Sequence, residues 1–401
     1  MNRRQMMVTS LGIVLPAHSA PSSIDEVLRA GIERRKIPAA VAMVANRNRV
    51  IYSGAFGKLD ANGTPAALDS IFAIASMTKA VTSVAAMQLV EQGKVKLNEP
   101  VAKYLPQLAK VEVLDGFDAA GKPVLRPART SITLKHLLTH TSGFCYDTWD
   151  EQMFRYSSQP GGAPAAAAGP LMFEPGTRWQ YGQGVDWAGR LVEKISGMTL
   201  EEYFQAKILK PLGMADTSYI LAPAKFPRMA GSWNRDAGPE LEAAPRVQPA
   251  PPRSFNGGGG LYSTVGDYVR FMQMILRKGR GGNKEVILKS KTVASMEVNQ
   301  IGSATAGKMR SFRPKLSSDV DIQPGATEKW GLGFLINPTP YSGGRAAGSL
   351  AWAGILNTFF WIDPKRDVCA TLMMQFLPFV DKEATGLLSD FEHSVYANLR
   401  R

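Results

Sequence analysis

The chain has 401 residues, of which 45% are hydrophobic and 20% are charged, and its formal net charge at pH 7 is +13. This composition is typical of a globular protein with an ample core in one large or two ordinary domains. The basic residues are scattered and do not alternate with aromatic residues, so the charge favours a basic surface over a nucleic-acid-binding site. Because the sequence lacks an uncharged apolar run of about 18 residues, we expect no membrane span.

The N-terminal segment, residues 1–20, differs in character from the rest of the chain. Arg3 and Arg4 precede a short apolar stretch, and small residues follow it. This pattern is typical of an export leader, but the stretch is short enough that a disordered tail fits it nearly as well. The localisation therefore stays open between the cytoplasm and, if a leader is cleaved, the periplasm or the exterior. Cys145 and Cys369 suit either compartment, and we expect free thiols.

Periodicity predicts two helices and a hairpin at the start of the folded chain. Residues 22–37 are amphipathic with a helical period, and residues 39–60 carry two apolar runs around a turn at Asn46–Asn48. Residues 76–92 predict the second helix, which Gly93 closes. Because this helix is apolar nearly all round, we expect it to be buried.

The middle of the chain, from about residue 100 to 290, consists mostly of helical patterns separated by loops. Farther on, successive strand patterns lead to a final helix. The predicted long loops, rich in Pro, Gly, Ala or Ser, are residues 158–170, 237–255 and 302–328, and the predicted strands are residues 330–336, 343–354, 357–364 and 367–376, with the helix over 382–399. Loops of this length commonly wall a binding site.

The order of these elements predicts the fold class and the domains. Residues 21–75 and 325–401 are expected to form one α/β domain, because the simplest assembly of its strands is a single antiparallel sheet with helices packed on it. Residues 76–324 are expected to form a large, mostly helical insert with long loops. The predicted class is thus α/β plus all-α, and Ser76 lies at the junction between the two domains, where clefts commonly form.

Ser76 and Lys79, in the sequence "SMTK", are the first candidate catalytic residues. Residues at i and i+3 share one helix face and lean toward the N-terminus, so Lys79 reaches back toward the Ser76 hydroxyl. A serine needs a base to become a nucleophile, and a lysine in an apolar cleft is favoured as the neutral amine. The helix N-terminus also leaves the Ser76 N–H free to hold a developing oxyanion. A Ser-x-x-Lys arises by chance about once in a chain of this size, so the surrounding sequence must show whether this one is catalytic.

Four further segments make this motif specific in combination. They are "HLLTHTSGF", "FEPGTRWQYGQGVDWAGRLVE", "GGGGLYSTVGDYVRFM" and "AWAGILNTFFWIDP". Together with "SMTK", and in this order, they resemble the penicillin-recognising serine hydrolases, which include class C β-lactamases, D-Ala-D-Ala peptidases and family VIII carboxylesterases. The resemblance covers nearly the whole chain after the N-terminal segment and implies a β-lactamase/transpeptidase-like fold.

The resemblance also implies the remaining site residues. The tyrosine that follows "PGTRWQ" is Tyr181 here, and in the family it passes the proton between the lysine and the leaving group. A phenol beside an ammonium loses its proton more readily, which suits it to act first as a base and then as an acid. The strand-edge triplet of the family corresponds to Trp352-Ala353-Gly354, and the N–H of Ile355 would complete the oxyanion hole.

Two departures from the β-lactamase pattern bear on the substrate. β-Lactamases use the lysine and threonine of a Lys-Thr-Gly triplet to hold the carboxylate of the drug, whereas this chain has Trp352 and Ala353. An indole and a methyl group cannot pair with an anion, and they suit a neutral substrate that lies against Gly354; family VIII esterases also carry Trp-x-Gly. Gln183 stands where asparagine is usual, and its different reach again favours esters over amides.

The histidines suggest an alternative site that the sequence does not support. His136 and His140 are spaced i, i+4, but there is no G-x-S-x-G elbow for a Ser-His-Asp triad and no H-E-x-x-H pattern for zinc. We expect both histidines to be structural and Cys145 to line the cleft rather than to attack. No metal or cofactor is expected.

These features predict a serine carboxylesterase that hydrolyses short-chain neutral esters through an acyl-enzyme on Ser76, with a small-molecule ester as its partner and with β-lactamase activity that is weak or absent. Three alternatives stay open. They are a class C-like β-lactamase or D-amino-acid peptidase, an acyltransferase similar to the fungal statin side-chain enzymes, and a penicillin-binding sensor that is acylated without turnover. The pattern does not set the oligomeric state.

Overall fold

The computed structural model describes residues 23–159, 169–236, 238 and 240–399. The predicted leader or tail at residues 1–20 lies outside the described residues. The helices are α1 (Ile24–Arg35), α2 (Thr78–Glu91), α3 (Leu134–Leu138), α4 (Glu151–Ser157), α5 (Gly184–Ser196), α6 (Leu200–Phe204), α7 (Lys210–Leu212), α8 (Val265–Leu276), α9 (Ser290–Met296) and α10 (Lys382–Asn398). The strands are β1 (Ala39–Ala45), β2 (Val50–Gly57), β3 (Phe72–Ala73), β4 (Glu112–Phe117), β5 (Pro123–Pro127), β6 (Trp233–Asn234), β7 (Glu242–Ala243), β8 (Tyr262–Ser263), β9 (Lys329–Trp330), β10 (Leu335–Ile336), β11 (Leu350–Gly354), β12 (Thr358–Asp363), β13 (Val368–Met373) and β14 (Phe376–Leu377).

A seven-stranded antiparallel sheet forms the centre of the molecule, with the strand order β2-β1-β13-β12-β11-β10-β9. The N-terminal hairpin therefore pairs with the C-terminal strands, in a ladder that runs from Val41 opposite Met373 to Ala45 opposite Cys369. This confirms the predicted hairpin and the predicted single antiparallel sheet shared by the two ends of the chain.

Helices cover both faces of the sheet. Successive residues of a strand point to opposite faces, so Phe360 of β12 contacts Tyr268 of α8, whereas Trp361 contacts Phe391 of α10. Every residue of β1, β12 and β13 is buried. Burial on both faces explains why these strands read as continuous apolar runs rather than as alternating patterns.

A buried ion pair fixes the segment before β11 to α10. Arg345 Nε lies 2.9 Å from Glu392 Oε1, and Arg345 Nη2 lies 2.5 Å from Glu392 Oε2. The Arg345 residue is 5% exposed and Glu392 is 3% exposed. The two parallel contacts hold the approach to β11 in one geometry.

Residues 330–336 form two short strands, where the sequence predicted one. β9 and β10 pair as a hairpin, with Trp330 opposite Leu335. Gly333, in the turn, has a φ of +96°, and a Cβ built there would lie 2.5 Å from the Cβ of Ser83 on α2. The chain turns here because glycine allows the backbone to press against α2. A second hairpin, β4–β5, lies in the middle region, where the sequence predicted mostly helices separated by loops.

Helix α2 is buried along nearly its whole length, as predicted. Every residue from Thr78 to Leu89 is buried, and Gly93, with a φ of +73°, follows the helix. A 3₁₀ turn, Ala75–Met77, precedes the helix, so α2 begins two residues later than the sequence indicated. None of the helices in the described part of the chain combines the length and apolarity needed to cross a bilayer.

Candidate active site

Ser76 lies in the 3₁₀ turn that connects strand β3 to helix α2. Ala75 in this turn has a φ of +42°, a left-handed conformation that costs an L-residue roughly 1–2 kcal/mol. Ser76 keeps part of its surface exposed, whereas Lys79 is 1% exposed. A substrate can therefore reach the serine while the lysine stays away from water.

Lys79 Nζ lies within hydrogen-bonding distance of three oxygen atoms. They are Ser76 Oγ at 3.0 Å, the Tyr146 hydroxyl at 3.2 Å and the Gly258 carbonyl at 2.7 Å. The structure thus brings Ser76 and Lys79 together across one helical turn.

Tyr146 and Asp186 extend the hydrogen-bond network of Lys79, and the sequence did not predict either residue as part of the site. The Tyr146 hydroxyl donates to Asp186 Oδ2 at 3.3 Å, and the N–H of Gly258 donates to Asp186 Oδ1 at 2.7 Å. Burial raises the pKa of Asp186, although Lys79 acts in the opposite direction. One feature of the sequence could have indicated this network: Asp186 stands among apolar residues at the start of α5. A carboxylate in such a place needs polar partners, which points to neighbours such as Tyr146.

The aromatic ring of Tyr181 faces the amine of Lys79. Lys79 Nζ lies 4.9 Å from the ring centroid of Tyr181, and the Tyr181 hydroxyl oxygen accepts the indole N–H of Trp352 at 3.1 Å. Trp352 is 4% exposed, and its ring packs against those of Tyr181 and Trp330, with centroids 4.8 and 4.7 Å away. In this structure Trp352 therefore orients the catalytic candidate Tyr181, a contact that the sequence did not indicate.

The rest of the strand-edge triplet lies against the turn that carries Ser76. A Cβ built on Gly354 would lie 2.4 Å from the carbonyl oxygen of Ile74 and 2.4 Å from Thr358 Oγ1. The missing side chain of Gly354 thus allows β11 to approach the turn that carries Ser76. Ala353 is buried, and Ile355, which follows the last residue of β11, is partly exposed.

Gln183 is the residue before helix α5 and lies two positions after Tyr181. It is 9% exposed, and its Nε2 is buried without a hydrogen-bond partner among the described residues. A buried donor without a partner costs about 1–3 kcal/mol. Gln183 is therefore a candidate to donate to a bound ligand.

The histidines and Cys145 have the surroundings of structural residues. Burial, and then the charge of Lys79, hold the pKa of His140 well below its usual range, and its ring packs against Tyr181 at 4.6 Å. His136 Nδ1 accepts the N–H of Thr133 at the start of α3. Burial raises the pKa of Cys145 well above its usual range, which makes it a poor nucleophile. Both cysteines are free thiols, as predicted.

The arrangement has the parts needed for acyl transfer. A partly exposed hydroxyl has an amine 3.0 Å away, and a phenol lies over that amine. The 3₁₀ turn that carries Ser76 and the end of β11, which precedes Ile355, lie side by side, since a Cβ on Gly354 would lie 2.4 Å from the Ile74 carbonyl oxygen. Among the described residues, no three His, Cys, Asp or Glu side chains are grouped in a way that could hold a metal ion.

Known proteins of one family match this chain along most of its length. The β-lactamase family model matches residues 24–391. Monacolin J acid methylbutanoyltransferase of Aspergillus terreus is 31% identical over 98% of this chain and 100% of its own length, and lovastatin esterase of Penicillium rubens is 31% identical over 93% and 98%. The solved structure of unliganded simvastatin synthase from Aspergillus terreus has a TM-score of 0.80 at 30% identity, and the match covers 94% of this chain and 97% of that one.

Proposed function

This chain belongs to the β-lactamase family of serine hydrolases and acyltransferases, and from that premise we propose that it is a carboxylesterase that hydrolyses short-chain neutral esters through an acyl-enzyme on Ser76. The observation that carries the proposal is the distance of 3.0 Å between Lys79 Nζ and Ser76 Oγ, at the start of a buried helix. This geometry suits removal of the serine proton as the hydroxyl attacks.

In the first half of the proposed reaction, Ser76 Oγ forms a bond to the ester carbonyl carbon while its proton passes to Lys79. The N–H groups of Ser76 and Ile355 hold the oxyanion. When the bond to the alcohol breaks, Tyr181 gives its proton to the departing oxygen and Lys79 restores it. Because Trp352 donates to the Tyr181 oxygen, the hydroxyl proton of Tyr181 remains for another acceptor.

In the second half, water attacks the acyl-enzyme. Lys79 and Tyr181 remove a proton from the water, and the same proton returns to Ser76 Oγ as the acid leaves. No cofactor is invoked in either half.

The strand-edge triplet supports a neutral substrate. Trp352 and Ala353 bring no cation to this edge, and a charge-assisted hydrogen bond contributes about 1.5–3 kcal/mol. An anionic lactam therefore forgoes about ten- to a hundredfold in affinity, at 1.4 kcal/mol per decade. The unpartnered Nε2 of Gln183 offers a neutral donor to the carbonyl region of an ester.

Acyl transfer to an alcohol is the second candidate function, and the named relatives favour it. One relative is called a methylbutanoyltransferase and another an esterase, at the same 31% identity. The two activities differ only in whether water or an alcohol attacks the acyl-enzyme. The site residues above therefore serve both.

Steady-state rates on short p-nitrophenyl esters, measured beside a chromogenic cephalosporin, test the proposal. We expect kcat/KM to be higher for the ester; a higher value for the cephalosporin contradicts the choice of substrate. A short-chain alcohol added to the ester assay measures the competition between water and alcohol. If the new ester exceeds the free acid at millimolar alcohol, the chain is primarily an acyltransferase.

A fluorophosphonate probe tests the nucleophile. Ser76→Ala should abolish labelling and turnover. Ser83→Ala is the matched control, because Ser83 is a buried serine on the same helix whose hydroxyl donates to the Lys79 carbonyl at 2.8 Å. Labelling that persists in Ser76→Ala, or is lost equally in Ser83→Ala, contradicts the assignment of Ser76.

A further inference from the structure

We propose that Tyr146 and Asp186 are positioning residues that aim the amine of Lys79 at Ser76. The inference rests on the proposed acyl-enzyme chemistry and adds two residues to it. Neither residue needs to touch the substrate. The amine nitrogen of Lys79 has three bonding positions besides its bond to carbon, and the contacts described below occupy two of them, which leaves the third for Ser76.

The contact with the Gly258 carbonyl occupies the first bonding position of Lys79 Nζ. A carbonyl oxygen can only accept, so the 2.7 Å contact between Lys79 Nζ and the Gly258 oxygen uses one N–H of the lysine. The N–H of the same residue donates to Asp186 Oδ1 at 2.7 Å. Gly258 therefore holds the lysine through its carbonyl group and the aspartate through its N–H group.

The contact with the Tyr146 hydroxyl occupies the second bonding position of Lys79 Nζ. A carboxylate only accepts, so the 3.3 Å contact between the Tyr146 hydroxyl and Asp186 Oδ2 directs the phenolic proton toward Asp186. With its proton used in this way, the Tyr146 oxygen accepts a second N–H of Lys79 at 3.2 Å. Asp186 thus makes Tyr146 an acceptor toward the lysine.

The third position of Lys79 Nζ then faces Ser76 Oγ at 3.0 Å. In the neutral amine this position holds the lone pair, because both N–H groups are already used. The lone pair therefore accepts the proton of Ser76 as the hydroxyl attacks. Tyr181, which presents its ring at 4.9 Å, does not compete for this position.

The other ionisable groups near the pair are compatible with this arrangement. Burial lowers the pKa of His140 well below its usual range, so His140 brings no charge to the pair. Arg190, one turn along α5, opposes the rise in the pKa of Asp186 that burial causes. Burial, and then Asp186, raise the pKa of Tyr219 well above its usual range, so Tyr219 stays neutral.

Asp186→Asn is the informative variant because it keeps the shape of the side chain. The amide oxygen still accepts from Gly258, but the amide nitrogen takes the place of Oδ2 and donates to the Tyr146 oxygen. The Tyr146 proton then turns toward the lone pair of Lys79 and competes with Ser76. We expect the acylation rate to fall by about a hundredfold or more, the scale of a general-base contribution, with KM little changed.

Adding Tyr146→Phe to Asp186→Asn tests whether the Tyr146 hydroxyl causes the loss of acylation rate in Asp186→Asn. Removing the competing hydroxyl should make the double variant about tenfold faster in acylation than Asp186→Asn alone, and close to Tyr146→Phe alone. If the double variant is as slow as Asp186→Asn or slower, Asp186 acts through its charge and the inference is wrong. An Asp186→Asn variant that acylates at the wild-type rate contradicts it as well.

The pH profile gives a second readout. Because the pKa of Asp186 is raised, falling pH protonates it earlier than an ordinary aspartate, and a protonated Asp186 can no longer hold the Tyr146 proton. The acidic limb of kcat/KM should therefore lie above the usual aspartate range in the wild type. The limb should move to a different pH in Asp186→Asn, because one of the groups that set it has gone; a limb that stays at the wild-type pH contradicts the inference.

Two matched controls and one separate test complete the design. Asp267→Asn removes a charge from another deep aspartate with a raised pKa, and Tyr219→Phe removes another buried hydroxyl, which donates to the Asn256 carbonyl at 2.7 Å. Both should keep the wild-type acylation rate; an equal loss in either means that general destabilisation explains the result. Loss of fluorophosphonate labelling in Ser76→Ala tests the proposed function separately, so the two can fail independently.

Discussion

Replacing Trp352 with phenylalanine tests what the tryptophan of the strand-edge triplet does. The change keeps most of an aromatic ring that is 4% exposed and packed at 4.8 Å from Tyr181 and 4.7 Å from Trp330. It removes the indole N–H, which lies 3.1 Å from the Tyr181 oxygen. We therefore expect the main loss to fall on Tyr181 rather than on the binding of the ester.

The size of the loss follows from that one hydrogen bond. A buried polar atom that loses its partner costs about 1–3 kcal/mol, and in the proposed mechanism the Tyr181 oxygen becomes more negative as its proton leaves. At about 1.4 kcal/mol per tenfold in rate, kcat should fall by about 5- to 150-fold. KM should change little, because the contact is expected to strengthen only in the transition state.

Steady-state kinetics on one p-nitrophenyl ester, with Trp330→Phe as the matched control, measure the effect. The Trp330 indole N–H also has one partner, the Leu138 carbonyl at 3.1 Å, and its ring belongs to the same aromatic cluster. Trp330→Phe should lower the thermal midpoint but leave kcat within a few-fold of the wild type. If the two variants lose kcat equally, or Trp352→Phe loses none, the hydrogen bond to Tyr181 does not support catalysis.

Three further predictions concern the backbone and the core. Gly354→Ala places a Cβ 2.4 Å from the Ile74 carbonyl oxygen, so we expect the turn that carries Ser76 to shift and kcat to fall by at least about tenfold, and an unchanged kcat contradicts this. Ala75→Gly relieves the left-handed φ of +42° and should raise the free energy of unfolding by up to about 1 kcal/mol, measured by urea unfolding; a less stable variant argues against strain in the turn. Glu392→Gln leaves Arg345 without its counter-charge and should cost about 3–5 kcal/mol at pH 7. Although burial alone raises the pKa of Glu392, Arg345 holds it below the usual range, so the contribution of the pair is present above the unfolded-state pKa and is lost as the pH falls through the folded value. The difference between wild type and Glu392→Gln should therefore shrink between pH 7 and pH 3, and a constant difference refutes the assignment.

The features predicted well from sequence are those that local geometry fixes. The hairpin β1–β2 follows from two apolar runs around a short polar turn, and the burial of α2 follows from its apolar circumference. The proximity of Ser76 and Lys79 has the same origin, since i, i+3 residues of a helical segment share a face.

The features missed depend on contacts between distant parts of the chain. Tyr146 and Lys79 are 67 residues apart, and Trp352 and Tyr181 are 171 residues apart. Periodicity cannot report which indole meets which phenol, because neither residue changes the local pattern of its own element. The turn at Gly333 was missed for the same reason: what requires glycine there is Ser83 on another element.

The pairing of β1 with β13 also has a consequence for synthesis. Val41 is made early, but its partner Met373 leaves the ribosome more than 300 residues later. Until then β1 has a bare edge, and β11, which touches the turn with Ser76, has not been made. We therefore expect a nascent chain that already contains Ser76 and Lys79 to be unable to carry out the proposed reaction, and the open edge of β1 is a candidate for capture by a chaperone. We expect ribosome-bound chains stalled before β11 to resist fluorophosphonate labelling, and chains extended past α10 to be labelled.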